Sequence, residues 1–169
     1  MKTKKSISLI GMAGTGKSTI GKKLAQYLGF NFIDSDLLIE KQYKKSLQEI
    51  LVESGNKSFK DIEQNNLMSI EFNELVLATG GSAIFSKLAM SYISKESTII
   101  FIESSYKDII SRVPDFSERG FLRKSEQNIK EAFAERAHLY KYYADFTVLN
   151  NTEIDQCIDK IVEIVYKKI

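Results

Sequence analysis

The run Gly11-Met-Ala-Gly14-Thr-Gly16-Lys17-Ser18 has the residue types and the spacing of a phosphate-binding loop. It follows a short apolar run and precedes a helical pattern, which is the context that such a loop requires. Its glycines let backbone N–H groups face phosphate oxygens, and the next helix adds positive potential at its N-terminus. Lys17 would reach the β and γ phosphates of a nucleoside triphosphate. The predicted nucleotide contacts are Gly14, Thr15, Gly16, Lys17, Ser18 and Thr19.

Two aspartates follow a second predicted strand, Asn31–Ile33. Asp34 and Asp36 are two residues apart, and such positions point the same way in an extended segment. Mg²⁺ binds a few hard oxygens and keeps several waters, which suits the Ser18 hydroxyl together with Asp34, directly or through water. Asp36 could accept a hydrogen bond from a substrate hydroxyl and take its proton. Alternatively, Asp34 or Ser35 only caps the helix that follows.

All four arginines lie in one stretch, between residues 112 and 136, although the chain has 24 basic residues in all. A planar guanidinium binds carboxylate or phosphate through two parallel hydrogen bonds, which lysine cannot do. A polar segment without periodicity, about residues 114–125, is interpreted as a mobile lid over the site. Alternatively, the arginines lie on ordinary solvated faces. They are Arg112, Arg119, Arg123 and Arg136.

Composition limits the class of protein. The chain has 169 residues, 43% of them hydrophobic, which predicts one domain, residues 1–169, around a single core. A net charge of +2 is too small to predict nucleic-acid binding. One cysteine excludes an intrachain disulfide, and no stretch approaches the roughly 20 apolar residues of a membrane span. We therefore expect a cytoplasmic monomer that binds small molecules and neither nucleic acid nor membrane.

Strand and helix patterns alternate along the chain, which predicts an α/β protein with a mostly parallel sheet covered on both faces. Ligands bind such sheets beyond the carboxyl ends of the strands. The predicted strands are Ser6–Ile10, Asn31–Ile33, Leu75–Ala78, Thr98–Ile102 and Phe146–Leu149. The predicted helices are Lys17–Leu28, Ser35–Tyr43, Leu47–Glu53, Phe59–Phe72, Ser86–Ile93, Lys107–Val113, Ser125–Tyr143 and Glu153–Lys167.

These motifs and their order resemble those of shikimate kinases over essentially the whole chain. Further matching segments are Phe59-Lys60-x-x-Glu63, Ala78-Thr79-Gly80-Gly81 and Glu135-Arg136-x-x-x-Tyr140. The resemblance implies a three-layer P-loop fold of the nucleoside-monophosphate kinase type, with a five-stranded parallel sheet in the order 2-3-1-4-5. It also implies Mg²⁺-dependent transfer of the ATP γ-phosphoryl group to the 3-hydroxyl of shikimate.

The resemblance also implies roles for single residues. Helices within about residues 35–73 would bind the acceptor, and Glu63 would orient the residue at position 60. Arg119 would reach the phosphates from the lid, so that Lys17, Asp36 and Arg119 are the expected catalytic residues. Arg112 would stack on adenine, with Asn150-Asn151-Thr152 on the other side of the ring. The implied shikimate contacts are Asp36, Lys60, Gly80, Gly81, Ser82 and Arg136.

Several positions depart from the family pattern. Lys60 replaces an arginine that holds the acceptor carboxylate, and lysine cannot reproduce its bidentate grip. Ser82 replaces a third glycine. The remaining departures are Gly120 and His138, where proline is usual, and Asn56, where an acid is common. Two alternative functions remain open. The first is a related kinase whose acceptor is a sugar acid such as gluconate, or a nucleotide. The second is a nucleotide-binding regulatory module that has lost phosphoryl transfer.

Overall fold

A computed structural model of the chain describes residues 5–113, 115–116, 121–151 and 153–167. The predicted lid falls partly outside these ranges. Arg119, Gly120 and Pro114 are not among the described residues, and neither is Thr152. The roles expected for them therefore remain predictions.

Five short strands form one parallel sheet in the order β2-β3-β1-β4-β5, as predicted. β1 is buried along its whole length, in keeping with a central strand covered on both faces. The register sets Leu9 opposite Ala78, and Asp34 is also opposite Ala78 on the other side of β3. The strands are β1 Ser6–Ile10, β2 Asn31–Asp34, β3 Leu75–Ala78, β4 Ser97–Glu103 and β5 Phe146–Leu149.

Helices connect the strands, and side-chain caps define where several of them begin. α6 begins at Ile129, later than the predicted Ser125, because Asn128 and Glu131 form a capping box. Ser86 likewise caps α4 through a hydrogen bond from the Ala89 N–H. The helices are α1 Lys17–Leu28, α2 Ser35–Tyr43, α3 Leu47–Met68, α4 Lys87–Glu96, α5 Tyr106–Arg112, α6 Ile129–Tyr143 and α7 Ile154–Tyr166, with a 3₁₀ helix at Ala83–Phe85.

α3 differs from the prediction of two separate helices, Leu47–Glu53 and Phe59–Phe72. It runs from Leu47 to Met68 and is bent at Gly55, whose φ is 76° and ψ is 164°. This backbone conformation is essentially confined to glycine, so the helix can kink there and resume without an intervening loop.

Apolar side chains fill both faces of the sheet. Ile7 and Leu9 of β1 pack with Leu24 of α1 and Ile161 of α7 on one face. Ile10 packs on the other face in a cluster that includes side chains of α3, α4, α5 and α6. A third cluster joins α2 and α3 to Leu122, which lies within the predicted lid segment; its buried members are Ile39, Leu47, Ile50, Phe59 and Leu122. No helix in the described ranges is long and apolar enough to cross a membrane.

The bend at Gly55 yields a stability prediction. Gly55→Ala should destabilise the protein by about 1–3 kcal/mol, because alanine must be strained to adopt this backbone conformation. Urea denaturation would measure the loss. Lys57→Ala, at an exposed position two residues away, is the control and should change stability by no more than about 0.5 kcal/mol. A Gly55→Ala variant as stable as the control would mean that α3 straightens without cost.

Candidate active site

The phosphate-binding loop connects β1 to α1. Gly16 is the N-cap of α1, with φ 90°, and Lys17 is the first helical residue. The Lys17 ammonium is largely buried and donates to the Gly11 carbonyl at 2.7 Å and to the Met12 carbonyl at 2.9 Å. The loop therefore carries a cation folded back over its own backbone, beside the N-terminus of a helix, where anions are stabilised.

Thr15 and Asn150 stabilise this loop from inside the protein. The Thr15 hydroxyl donates to the Met12 carbonyl at 2.9 Å, and its side chain is buried and does not border the cleft described below. The Asn150 side-chain amide, at the end of β5, donates to the Thr15 carbonyl at 2.7 Å. The sequence did not suggest this contact, because 135 residues separate the two partners.

Asp34 caps α2, which is one of the two roles that the sequence left open, and it also contacts Ser18, its expected partner at a metal site. Its Oδ1 accepts from the backbone N–H groups of Asp36 and Leu37 and so caps α2, while its Oδ2 accepts from the Ser18 hydroxyl at 2.5 Å. The premise that Asp36 lies in an extended segment is wrong, because this cap starts the helix at Ser35. Asp36 nevertheless borders the same cleft as Asp34.

A cleft of about 580 Å³ lies over the carboxyl ends of the strands. Most of the predicted nucleotide contacts line it, together with Asp36 and Gly81 of the predicted acceptor contacts. Arg112 borders it from α5, and the Arg112 guanidinium makes long hydrogen bonds to the Gly14 carbonyl and the Ser104 hydroxyl, both at 3.4 Å. The other residues that line it are Ala13, Gly14, Gly16, Lys17, Ser18, Thr19, Asp34, Asp36, Leu37, Glu40, Leu47, Thr79, Gly81 and Val113.

Gly80 brings two carboxyl groups close together. A Cβ at Gly80 would collide with Asp36 Oδ1 and would stand 3.2 Å from Glu63 Oε1. Glu63 is buried on α3, and the Ser82 hydroxyl donates to its Oε1 at 2.5 Å. Burial raises the pKa of Glu63 to about 8; the Asp36 charge acts in the same direction, whereas the Ser82 hydrogen bond, Arg136 and Lys60 oppose it.

Lys60 lies outside the large cleft. It borders two adjoining cavities of about 200 Å³ each, and Glu63 and Ser82 border one of them. The Lys60 ammonium stands over the Phe85 ring, 5.4 Å from its centroid. No hydrogen bond or ion pair joins Lys60 to Glu63 in the described part of the chain. The expectation that Glu63 orients Lys60 is therefore wrong for this arrangement, because Ser82 bonds to Glu63 instead.

Arg136 is 2% exposed, and backbone and aromatic rings cover it. Its guanidinium donates to the Leu122 carbonyl and lies over the rings of Phe121, at 4.1 Å, and Phe85, at 5.2 Å. The bond to Leu122 uses Nη2, whereas Nη1 would stand 3.4 Å from a Cβ at Gly81, a residue that borders the cleft. Arg123, in contrast, is exposed and donates to the Gln127 carbonyl, outside this set of contacts.

Tyr140 closes the matching segment Glu135-Arg136-x-x-x-Tyr140, and its ring stacks on Phe101 with 5.1 Å between the ring centroids. Its hydroxyl has a further contact, because it donates to the Gly81 carbonyl at 2.6 Å. Burial raises the pKa of Tyr140 to about 12, so the hydroxyl remains a donor at neutral pH. Tyr140 thereby fixes the glycine segment that borders the cleft.

The chain is similar to known proteins in sequence and in fold. The sequence model of the family described as shikimate kinase matches residues 13–166. A shikimate kinase of Clostridium botulinum (strain Eklund 17B / Type B) is 35% identical over 163 residues, which cover 96% of this chain and 98% of that protein. A structure of shikimate kinase from Acinetobacter baumannii in complex with shikimate has a TM-score of 0.86 at 27% identity, covering 96% of this chain and 93% of that chain. Shikimate kinase from Aquifex aeolicus has a TM-score of 0.81, also at 27% identity, with 96% of both chains covered.

The buried Glu63 carboxyl predicts a pH dependence of stability. Its pKa is raised by folding, so the native state binds more protons than the unfolded state between about pH 4.5 and pH 8. Stability should therefore fall as pH rises through this window, with a slope of at most about 1.4 kcal/mol per pH unit from this group.

Glu63→Gln should remove this contribution, because an amide does not titrate. Urea denaturation at intervals from pH 5 to pH 8 would compare the variant with the parent. Glu126→Gln, at an exposed position, is the control and should follow the parent curve. If the Glu63→Gln curve also ran parallel to the parent, the group would not be a carboxyl with a raised pKa.

Proposed function

The chain belongs to the shikimate kinase family, and from this premise we propose which of its residues transfer the γ-phosphoryl group of ATP to the 3-hydroxyl of shikimate. It is a phosphotransferase with an alcohol group as acceptor. One observation carries the assignment of residues: the phosphate-binding loop, Asp36 and Gly81 border a single cleft at the carboxyl edge of the sheet. A donor phosphate and an acceptor hydroxyl can therefore meet there.

At the nucleotide end, the loop residues Gly14, Gly16, Lys17 and Thr19 would hold the ATP phosphates. Thr15 supports them from inside, through its bond to the Met12 carbonyl. Arg112 would contact adenine, since its guanidinium borders the cleft and lies against the Gly14 carbonyl. The Lys17 ammonium would exchange its neutral carbonyl acceptors for phosphate oxygens, which bind a cation more strongly.

Ser18 and Asp34 fit a Mg²⁺ site. A hydroxyl and a carboxylate oxygen 2.5 Å apart, both beside the cleft, are the hard donors that this ion prefers. When bound, Mg²⁺ would neutralise charge on the transferred phosphoryl group.

At the acceptor end, Asp36 would accept a hydrogen bond from the 3-hydroxyl and take its proton during attack. Gly80 and Gly81 would contact the acceptor; a side chain at position 80 would collide with Asp36, so glycine there leaves that carboxylate in place. Lys60 and Arg136 would bind the shikimate carboxylate. Arg136 would do so through Nη1, which lies beside Gly81, while Nη2 keeps its bond to the Leu122 carbonyl.

Catalysis would then consist mainly of positioning and electrostatic stabilisation, with Lys17 and the lid residue Arg119 facing the charge that develops on the phosphoryl group. We further propose a cytoplasmic monomer with one kinase domain. The substrates would be ATP and shikimate.

Parallel assays of ADP release with shikimate, gluconate and nucleoside monophosphates test this function. Shikimate should give turnover far above the other acceptors. Lys17→Met should lose nearly all of it while keeping its circular dichroism spectrum, since the ammonium acts chiefly in the transition state. Preference for gluconate would favour the sugar-acid kinase, and ATP binding without transfer to any acceptor would favour the regulatory module.

Asp36→Asn should lower kcat by about 100-fold or more, because the amide cannot take the hydroxyl proton. ATP affinity, measured by calorimetry, should change little. Asp159→Asn, at an exposed position on α7, is the control and should match the parent in both measurements. A collapse of ATP affinity in Asp36→Asn would instead assign Asp36 to the metal.

A further inference from the structure

Ser82 and Glu63 form a buried contact between two elements of the acceptor side. Each is 7% exposed; Ser82 precedes the 3₁₀ helix, and Glu63 lies on α3. The hydroxyl donates to Glu63 Oε1 at 2.5 Å. Of the neighbours that lower the pKa of Glu63, Ser82 has the largest effect and Lys60 the smallest. Among the described residues, the neutral Ser82 hydroxyl is thus the hydrogen-bond partner of this carboxyl.

Lys60 is placed where it could compete for this carboxyl. It precedes Glu63 by three residues on α3, a spacing at which opposite charges on a helix meet. Its ammonium instead stands over the Phe85 ring and borders both small cavities. An ammonium brought against Glu63 would favour the ionised carboxylate. Because lysine is a single flexible point charge, the ion pair formed in this way would be largely neutralised toward a second anion.

We propose that Ser82 is a positioning residue that determines acceptor affinity: its hydroxyl occupies Glu63 and so leaves the Lys60 ammonium available for the carboxylate of the acceptor. The inference rests on the proposed function for the identity of that acceptor. It assigns Ser82 a role through Glu63 in place of direct contact with the substrate. An arginine at position 60 would depend less on Ser82, because its five donors can serve Glu63 and an acceptor together.

A double-mutant cycle between Ser82→Ala and Lys60→Arg tests the proposal. With Lys60 present, Ser82→Ala should raise the KM for shikimate by about fivefold, the effect of losing one exposed charge contact. Its kcat and its KM for ATP should change by less than about twofold, as expected for a loss of uniform acceptor binding. In the Lys60→Arg background, the same substitution should raise the shikimate KM by less than about twofold. Equal effects in the two backgrounds, or no effect in either, would overturn the proposal.

Ser86→Ala is the matched control for the hydroxyl. Ser86 also bridges to α3, by donating to the neutral Gln64 side chain at 2.6 Å, and it caps α4. Removal of the Ser86 hydroxyl should lower the thermal unfolding temperature without raising the shikimate KM. A rise equal to that of Ser82→Ala would mean that any loosening of this region weakens the acceptor site, which contradicts a specific role of Ser82.

A crystal structure of unliganded Ser82→Ala gives a readout that needs no acceptor. The Lys60 ammonium should move from the Phe85 ring to ion-pair distance from a Glu63 oxygen. An ammonium that stays over Phe85 would overturn the inference even in an active kinase. Failure of the parent to phosphorylate shikimate would refute the proposed function, and the position of Lys60 in the variant would still decide whether Ser82 keeps it away from Glu63.

Discussion

The parallel register of the sheet is the constraint on which the site depends. Backbone hydrogen bonds align Leu9 and Asp34 with Ala78 on either side of β3, so β1, β2 and β3 end at the same level. The fit of particular side chains, such as Ile7 and Leu9 on one face and Ile10 on the other, fixes this register, because a slip of one residue would turn each of them to the opposite face. The phosphate-binding loop and the Asp34 cap therefore lie side by side, although they are not adjacent in the sequence.

The nucleotide half and the acceptor half of the site differ in the charges and hydrogen-bonding groups that they contain. The nucleotide half offers donors: the N-terminus of α1 and the Lys17 ammonium, held by neutral carbonyls. The acceptor half gathers ionisable groups around Gly80: the Asp36 and Glu63 carboxyls come close, and the buried Arg136 guanidinium lies over aromatic rings. Removing such groups from water is costly, so each needs a partner. Ser82 and the Leu122 carbonyl provide two of them.

Local signals in the sequence were sufficient for most elements. The β1 run and the glycine pattern predicted a strand, a loop and a helix at their observed positions. The predictions were less accurate where a side chain or a glycine overrides periodicity. Asn128 delays the start of α6 through its cap, and Gly55 lets α3 bend and continue where two helices were expected. Caps and kinks depend on single residues, whereas a hydrophobic periodicity is read over many residues and does not show their individual effects.

By itself, the sequence determined the sheet order through the family resemblance and the nucleotide end through a contiguous motif, because residues close in the chain remain close in space. Only the tertiary structure decided the partners at the acceptor end. Ser82, rather than Lys60, bonds to Glu63, and Tyr140 bonds to Gly81 across 59 residues. Such pairs are chosen by packing between α3, α6 and the glycine segment. Burial makes each unpaired polar group costly, so the nearest donor in space takes the bond, whatever its distance along the chain.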